Sequence, residues 1–417
     1  MVSHSHPSKP TRSHYIQSHP QWKKNCGSVS DPNHMRGDMS YGRLLIQRRE
    51  HMVNASGSHL NTTVHLLALT ELQMARFVRT QRWPAYRATQ ILRWLYQRRL
   101  RTILDMTDLP MQDRVALSQS ASIGRSTQVT VLQSQDGTRK VLLTLEDGMS
   151  VESVLIPDDS RLTLCVSTQV GCMLDCGFCL TGQMGLKRNL KLHEIIDQVL
   201  TSQDLLTSDE RITNLVFMGM GEPLANVETL KAAVAGLTNK PWGLGWSRRR
   251  ITVSTAGLAS RLSDVAAMGV NLAISLNATT EEQRRDLMPA ASNIASLKSL
   301  LAACRRYPLA PHQRLTFEYV LLAGVNDLPA DARRLVQLLK SLRCKVNLIP
   351  FNEFPGSRFH RPPEKDVLRF QSDLRKAGLD VYVRKSRGRD VYGACGQLGD
   401  VSGNQPPVTL TAIETRC

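Results

Sequence analysis

The sequence predicts an α/β chain: an incomplete (β/α)6-type barrel, preceded by a helical N-terminal accessory domain and a small β meander. Three observations carry this reading. Seven short apolar runs have strand character: RLTLCVST (161–168), NLVFMGM (214–220), RITVST (250–255), NLAISLN (271–277), RLTFEYVLL (314–322), KVNLIPFN (345–352) and DVYVRKS (380–386). Stretches with apolar residues at three-to-four spacing separate most of them, among them HEIIDQVLTSQDLL, VETLKAAVAGL, IASLKSLLAACRR and ARRLVQLLKSL. Alternating βα units imply a parallel sheet, and in such barrels chemistry gathers at the C-terminal strand ends. The chain before residue 158 has a different period, first helical and then strictly alternating.

Taken in order, residues 1–60 read as a disordered tail, rich in serine, proline and asparagine and without apolar periodicity. Eight of the eleven histidines fall within the first 65 residues, ending at His59 and His65. A histidine-rich metal site has less support, because no tight HxH cluster recurs beyond His4 and His6. An organelle transit peptide, or a true start at Met52, are the other readings of this stretch. Residues 61–125 form the helical domain, from LTELQMARFV, YRATQILRWLYQRRL and MQDRVALSQS. The middle helix draws its apolar face from Ile91, Leu92, Trp94 and Leu95, with Arg87, Arg93, Arg98, Arg99 and Arg101 on or beside it. Such a run is either a solvated face or, with Trp94 and Tyr96 interleaved, a surface for RNA. Residues 126–157 alternate as TQVTVLQ, KVLLTLED and SVESVLIP around turns at QDGT and EDGM, a set of β-hairpins. The barrel then occupies 158–386, and 387–417 is a C-terminal loop and tail.

Composition narrows the class. At 417 residues and 41% hydrophobic content the chain can bury a sizeable core. No apolar run approaches the ~20 residues of a membrane span, and no secretory signal is visible, so a soluble, cytoplasmic monomer is expected. The formal net charge of +17 attracts polyanions, nucleic acid first. Nine cysteines, an odd number in a long chain, argue against a disulfide scaffold and for metal binding or catalysis.

Cysteine spacing sharpens this. GCMLDCGFC (171–179) sets Cys172, Cys176 and Cys179 in a CxxxCxxC array just after the first barrel strand. Structural zinc usually takes four protein ligands, often in two pairs. A [4Fe–4S] cluster bound by three cysteines instead leaves one iron open for a small molecule. Other strand ends could line a pocket beside it. GMGEP (219–223) offers Gly221 for close backbone approach and Glu222 for an ammonium group; Ser254, Ser275, Leu276, Asn277 and Asn352 end later strands. Cys304 and Cys344 read as packing residues, and Cys26 and Cys417 have no assigned role.

The motifs RLTLCVSTQVGCMLDCGFCLTGQMGLKRNL, FMGMGEPLAN, ITVSTAG, LAISLNA, VNLIPFN and GACGQL occur in the order found in the RlmN/Cfr family of radical S-adenosylmethionine (SAM) RNA methyltransferases, which the chain resembles over about 62–400. The resemblance implies a radical SAM barrel with a [4Fe–4S] cluster on Cys172, Cys176 and Cys179, SAM in the adjoining pocket, and two SAM per turnover. It implies that Cys395 takes a methyl group from one SAM. A radical made from the second SAM removes hydrogen from that methyl, and the carbon joins C2 of an adenosine in 23S rRNA or tRNA. Glu152 is then the proton acceptor, and Cys165 releases the product as a Cys165–Cys395 disulfide that cellular thiols reduce. An electron donor for the cluster is a further expected partner. Because Cys395 must meet several partners, a mobile loop is expected around it. Lys187, Arg188, Arg384, Lys385, Arg387 and Arg389 are expected to meet phosphates. Two alternatives stand beside this reading: C8 methylation of the Cfr type, and a non-catalytic RNA-binding protein with a structural metal.

Overall fold

The structure, a computed structural model, describes residues 63–311 and 313–399. The expected tail over 1–60, with Cys26, and the terminal Cys417 lie outside the described residues.

The helical domain opens with strand β1 (Val64–His65) and continues through helices α1 (Glu71–Thr80), α2 (Tyr86–Tyr96) and α3 (Met111–Ser120) to strand β2 (Ala121–Ser122), which pairs with β1 in parallel. Thr70 and Gln73 form a capping box that starts α1. Helix α2 buries Ala88, Ile91, Leu92, Leu95 and Tyr96, an apolar stripe at helical spacing. Tyr96 is therefore core, packed edge-on against Trp242, and Trp94 sits on the flank with its indole donating to Asp108. Part of the arginine run is also consumed internally. Arg93 donates to the Pro241 carbonyl at 2.9 Å, and Arg99 and Arg101 reach Asp204 at 2.9 and 3.3 Å. These contacts fasten α2 to the barrel.

Strands β3 (Gln128–Gln133), β4 (Arg139–Thr144) and β5 (Ser150–Asp158) make the expected meander, and β6 (Arg161–Cys165) is the first barrel strand. A two-residue pair, β7 (Gln169–Val170) and β8 (Arg188–Asn189), brackets the cysteine loop and the short helix α4 (Leu180–Gln183). After α5 (Leu192–Asp204) the βα rhythm runs β9 (Asn214–Phe217), α6 (Val227–Thr238), β10 (Ile251–Thr255), α7 (Leu262–Met268) and β11 (Asn271–Ser275). It continues through α8 (Glu281–Leu287), α9 (Pro289–Ile294), α10 (Leu297–Arg306), β12 (Leu315–Leu321), α11 (Pro329–Leu339), β13 (Cys344–Pro350), α12 (Glu364–Lys376) and β14 (Val381–Val383).

All seven apolar runs are strands, and their pairings β6–β9–β10–β11–β12–β13–β14 are parallel. The meander differs from a separate connector. It belongs to the same ten-stranded sheet, because β5 pairs antiparallel with the other edge of β6. The strand centres carry fully buried Leu164, Leu215, Phe217, Val253, Ile274, Phe317 and Leu348. Each such side chain contributes roughly 1.5–3 kcal/mol of burial free energy. Cys304 and Cys344 are buried with them. No described helix is long and apolar enough to cross a membrane.

Candidate active site

The cysteine loop leaves β7 through a backbone that only glycine can follow. Gly171 has φ +74°, and a Cβ there would lie 1.8 Å from the Gly185 carbonyl oxygen. That same carbonyl accepts the Cys172 N–H at 3.2 Å. Cys172, Cys176 and Cys179 pack with Leu174, Phe178, Phe351, Phe354 and Phe359 in an apolar cluster. Burial pushes the Cys172 thiol up to about 12 and raises those of Cys176 and Cys179, with neighbouring sulfurs adding to it. An added positive charge relieves such thiolates, which is the chemistry of a metal-ligand set. Three cysteines lining one cavity are a donor set that suits a [4Fe–4S] cluster with one iron left open.

Cys172, Cys176 and Cys179 line one cavity at the C-terminal strand ends with Gly221, Glu222, Ser254, Ser275, Asn277, Asn352 and Cys395. Glu222 is buried, and its two carboxylate oxygens accept N–H groups of Leu224 at 3.0 Å and Ala256 at 2.8 Å. Burial pushes its pKa up to about 7 despite these bonds. A cation in the cavity would therefore favour its ionised form. The Ser254 and Ser275 hydroxyls lie 3.3 Å apart. Asn277, at φ +54°, accepts the Val320 N–H at 2.9 Å and so ties the end of β11 to β12. Leu276 differs from the expectation: its side chain is fully buried in the core and does not line the cavity.

The sequence reading passed over Glu318, which is buried and lines this cavity. Asn347 donates to its Oε1 at 2.9 Å, while Oε2 is buried without a hydrogen-bond partner. Burial raises its pKa. The signal was available: a lone acid inside the apolar run RLTFEYVLL.

Cys395 is a free thiol, open to solvent at the cavity. It nevertheless sits deep enough among protein atoms for desolvation to raise its pKa, with Arg384 working the other way. Cys165, at the end of β6, lies behind the cavity wall between Val154 of β5 and Val216 of β9. Burial pushes its thiol up to about 12, the charge of Cys395 adds to this, and Arg384 again opposes it. Arg384 thus lines the cavity beside both thiols instead of facing outward for a phosphate. Arg188 is also committed, to Asp147 at 2.6 Å and Glu194 at 2.8 Å.

The loop around Cys395 is pinned, contrary to the expectation of a loosely held one. Asn352 donates to the Cys395 carbonyl at 3.1 Å, the Leu180 N–H to the Gly396 carbonyl at 2.8 Å, and the Thr181 hydroxyl to the Leu398 carbonyl at 2.5 Å. The meander holds both ends. Asp136 accepts the Gly388 N–H at 2.9 Å, and Asp390 accepts the Ser134 hydroxyl at 2.6 Å. At the far end Glu152 accepts the Gly399 N–H at 3.0 Å. Glu152 is buried on β5, forms a salt bridge with buried Lys140 at 3.1 Å, and does not line the cavity.

Comparison with known proteins follows the same division of the chain. Residues 166–338 match the radical SAM superfamily, and 64–123 match the ribosomal RNA large subunit methyltransferase N-terminal domain. A dual-specificity RNA methyltransferase RlmN of Syntrophobacter fumaroxidans is 49% identical over 75% of this chain and 92% of its own length. The chain belongs to the RlmN family of radical SAM RNA methyltransferases. The RlmN of Solidesulfovibrio magneticus is 47% identical over 80% of this chain and 96% of its own. The crystal structure of a radical SAM methyltransferase from Sphaerobacter thermophilus superimposes with a TM-score of 0.76 at 40% identity, covering 80% of this chain and 98% of that one. Membership makes the protein a SAM-dependent RNA methyltransferase and brings a [4Fe–4S] cluster and SAM as its cofactors.

Proposed function

We propose that the protein methylates C2 of a specific adenosine in 23S rRNA and of the adenosine 3′ of the anticodon in tRNAs, through methylated Cys395 and a covalent protein–RNA intermediate. The observation that carries this is the pair of free thiols, Cys395 at the cavity of the cluster cysteines and Cys165 within its electrostatic reach. Adenine C2 is electron-poor, so it cannot displace the methyl of SAM as a nucleophile. The carbon must arrive in a reactive form.

In this reading Cys395 sulfur displaces the methyl group from a first SAM, releasing S-adenosylhomocysteine. Cys172, Cys176 and Cys179 would hold the cluster, which would supply the electron for cleavage of a second SAM and so the means to remove hydrogen from the methyl on Cys395. Glu222, with Gly221, Ser254, Ser275, Asn277 and Asn352, forms the SAM pocket. The methylene radical on Cys395 bonds to C2, Glu152 accepts the proton lost from that carbon, and the unpaired electron of the adduct would return to the cluster. Cys165 sulfur attacks Cys395 sulfur and breaks its bond to carbon; the released carbon takes up a proton, which leaves a disulfide and methylated RNA. External thiols restore the pair. An electron donor brings the cluster to its reduced state, and the enzyme works as a monomer in the cytoplasm. The target base is flipped from its stack to reach Cys395.

Nucleoside mass spectrometry of 23S rRNA and tRNA treated with the reconstituted enzyme tests the reading. The expected product is 2-methyladenosine in both RNAs. 8-Methyladenosine as the sole product assigns the chain to Cfr-type chemistry instead.

A further inference from the structure

Outside the lining of the cavity, at the seam between the helical domain and the barrel sheet, three side chains able to bind a metal meet. One imidazole nitrogen each from His65 and His193 and a carboxylate oxygen of Glu146 all lie within 4.8 Å of one another. They come from three separate segments: β1, the turn between β4 and β5, and the first turn of α5.

The local chemistry favours a cation. Nδ1 of His65 lies 2.8 Å from the Ser122 hydroxyl. A hydrogen bond donated there fixes the tautomer that leaves Nε2 with its lone pair. Nε2 in turn faces Glu146 Oε2 at 3.0 Å. In that tautomer the Nε2 lone pair and the Glu146 carboxylate are two donors for a cation placed between them. His193 adds a third. It is 4% exposed, its Nδ1 is buried without a hydrogen-bond partner, and its ring stacks on that of His65 with centroids 4.6 Å apart. A metal would use both rings.

Room has been left as well. A Cβ on Gly124, at φ +84°, would lie 2.9 Å from His65 Cβ and 3.5 Å from His193 Cβ. In a tetrahedral zinc site with bonds near 2.0–2.1 Å, ligand atoms sit roughly 3.4 Å apart. The His65–Glu146 pair, at 3.0 Å, lies a few tenths of an ångström inside this spacing. The Glu146 side chain is 61% exposed, so it is free to adjust and leaves a face open to water.

We propose that His65, Glu146 and His193 form a divalent-metal site of the zinc type, with water as fourth ligand, that staples the helical domain to the barrel. Two imidazoles and one carboxylate suit zinc over magnesium or calcium, which prefer all-oxygen sets. The site is independent of the [4Fe–4S] centre.

The test uses the full chain, with its iron–sulfur cluster loaded anaerobically, dialysed against chelator-buffered zinc and analysed for zinc and iron. The histidines of residues 1–60 are present in every variant, so the readout is the difference between proteins. His193→Asn is expected to hold one zinc fewer than wild type with iron unchanged. Glu146→Gln, at an exposed position where folding is not at stake, is expected to weaken the site by at least tenfold. Ser122→Ala is expected to weaken it by about 10–100-fold, as loss of an orienting partner does. Zinc should also raise the thermal midpoint of wild type and not that of His193→Asn. Equal zinc content and equal zinc-induced stabilisation in wild type, Glu146→Gln and His193→Asn would overturn the proposal.

Discussion

The side-chain amide of Asn352 donates to the backbone carbonyl of Cys395 at 3.1 Å, joining the end of β13 to the loop that carries the proposed methyl acceptor. Asn352 thus holds the thiol at the cavity as well as lining it. Asn352→Ala is expected to cost about 1 kcal/mol of stability, the usual worth of such a bond. Methylation of Cys395 should slow by about tenfold, since 1.4 kcal/mol of misplacement gives that factor. Iron content should stay at the wild-type value. Single-turnover transfer of labelled methyl to protein checks this, and an unchanged rate would show that the bond does not position Cys395.

Gly171→Ala should cost the protein its cluster. The 1.8 Å approach to the Gly185 carbonyl cannot be relieved by a side-chain rotation, because both groups are backbone. The loop must shift, and Cys172, the next residue, shifts with it. Iron and sulfide analysis after anaerobic reconstitution is the measurement. A full complement of iron in this variant would contradict the reading.

Cys165→Ala is expected to accumulate a covalent protein–RNA adduct, seen as a nuclease-sensitive band shift. In the wild type, release should depend on pH. Burial sets the Cys165 pKa near 12, so the thiol form dominates at neutral pH. Below the pKa, each unit of added pH multiplies the thiolate fraction about tenfold. Release measured by rapid quench should therefore accelerate between about pH 7 and 9. Arg384 opposes the rise at both thiols, so Arg384→Met should slow release at any given pH. A flat pH profile would remove the Cys165 thiolate from the rate-governing step.

Glu152 has a structural and a proposed chemical role that one double variant separates. Glu152→Gln leaves the Lys140 ammonium, 1% exposed, without its countercharge. Removing one member of a buried pair typically costs about 3–5 kcal/mol. Adding Lys140→Met should restore most of that stability in a urea melt. RNA methylation should remain lost in the double variant if Glu152 accepts the proton. Recovery of activity along with stability would reduce Glu152 to a tether for Gly399.

The strands and their order were legible because buried parallel strands write themselves as continuous apolar runs punctuated by helical ones. The cysteine loop was legible for a related reason: three thiols at fixed spacing are a local signal. What escaped the sequence were relationships over long separations. QDGT is legible as a turn, yet nothing local says that Asp136 of that turn grips Gly388. YRATQILRWLYQRRL shows its arginines but not that Asp204 takes two of those nearby. Leu276 looked like a pocket residue by position alone, and only its burial in the core excludes it. Glu318 was overlooked because a single acid in a strand carries little weight until its neighbours are known.

The two edges of the ten-stranded sheet have a consequence for how the enzyme matures. Strand β14 is one edge and β3 the other, and the chain leaving β14 crosses to the β3–β4 turn before Cys395 is reached. The Ser134–Asp390 bond closes a loop 256 residues long in sequence. Contacts of such separation form late, since the entropy of loop closure must be met before they give any return. The proposed methyl-accepting thiol is therefore seated only once both margins of the sheet exist. A chain released early from synthesis, or frayed at β3, could hold its cluster and still lack a working nucleophile.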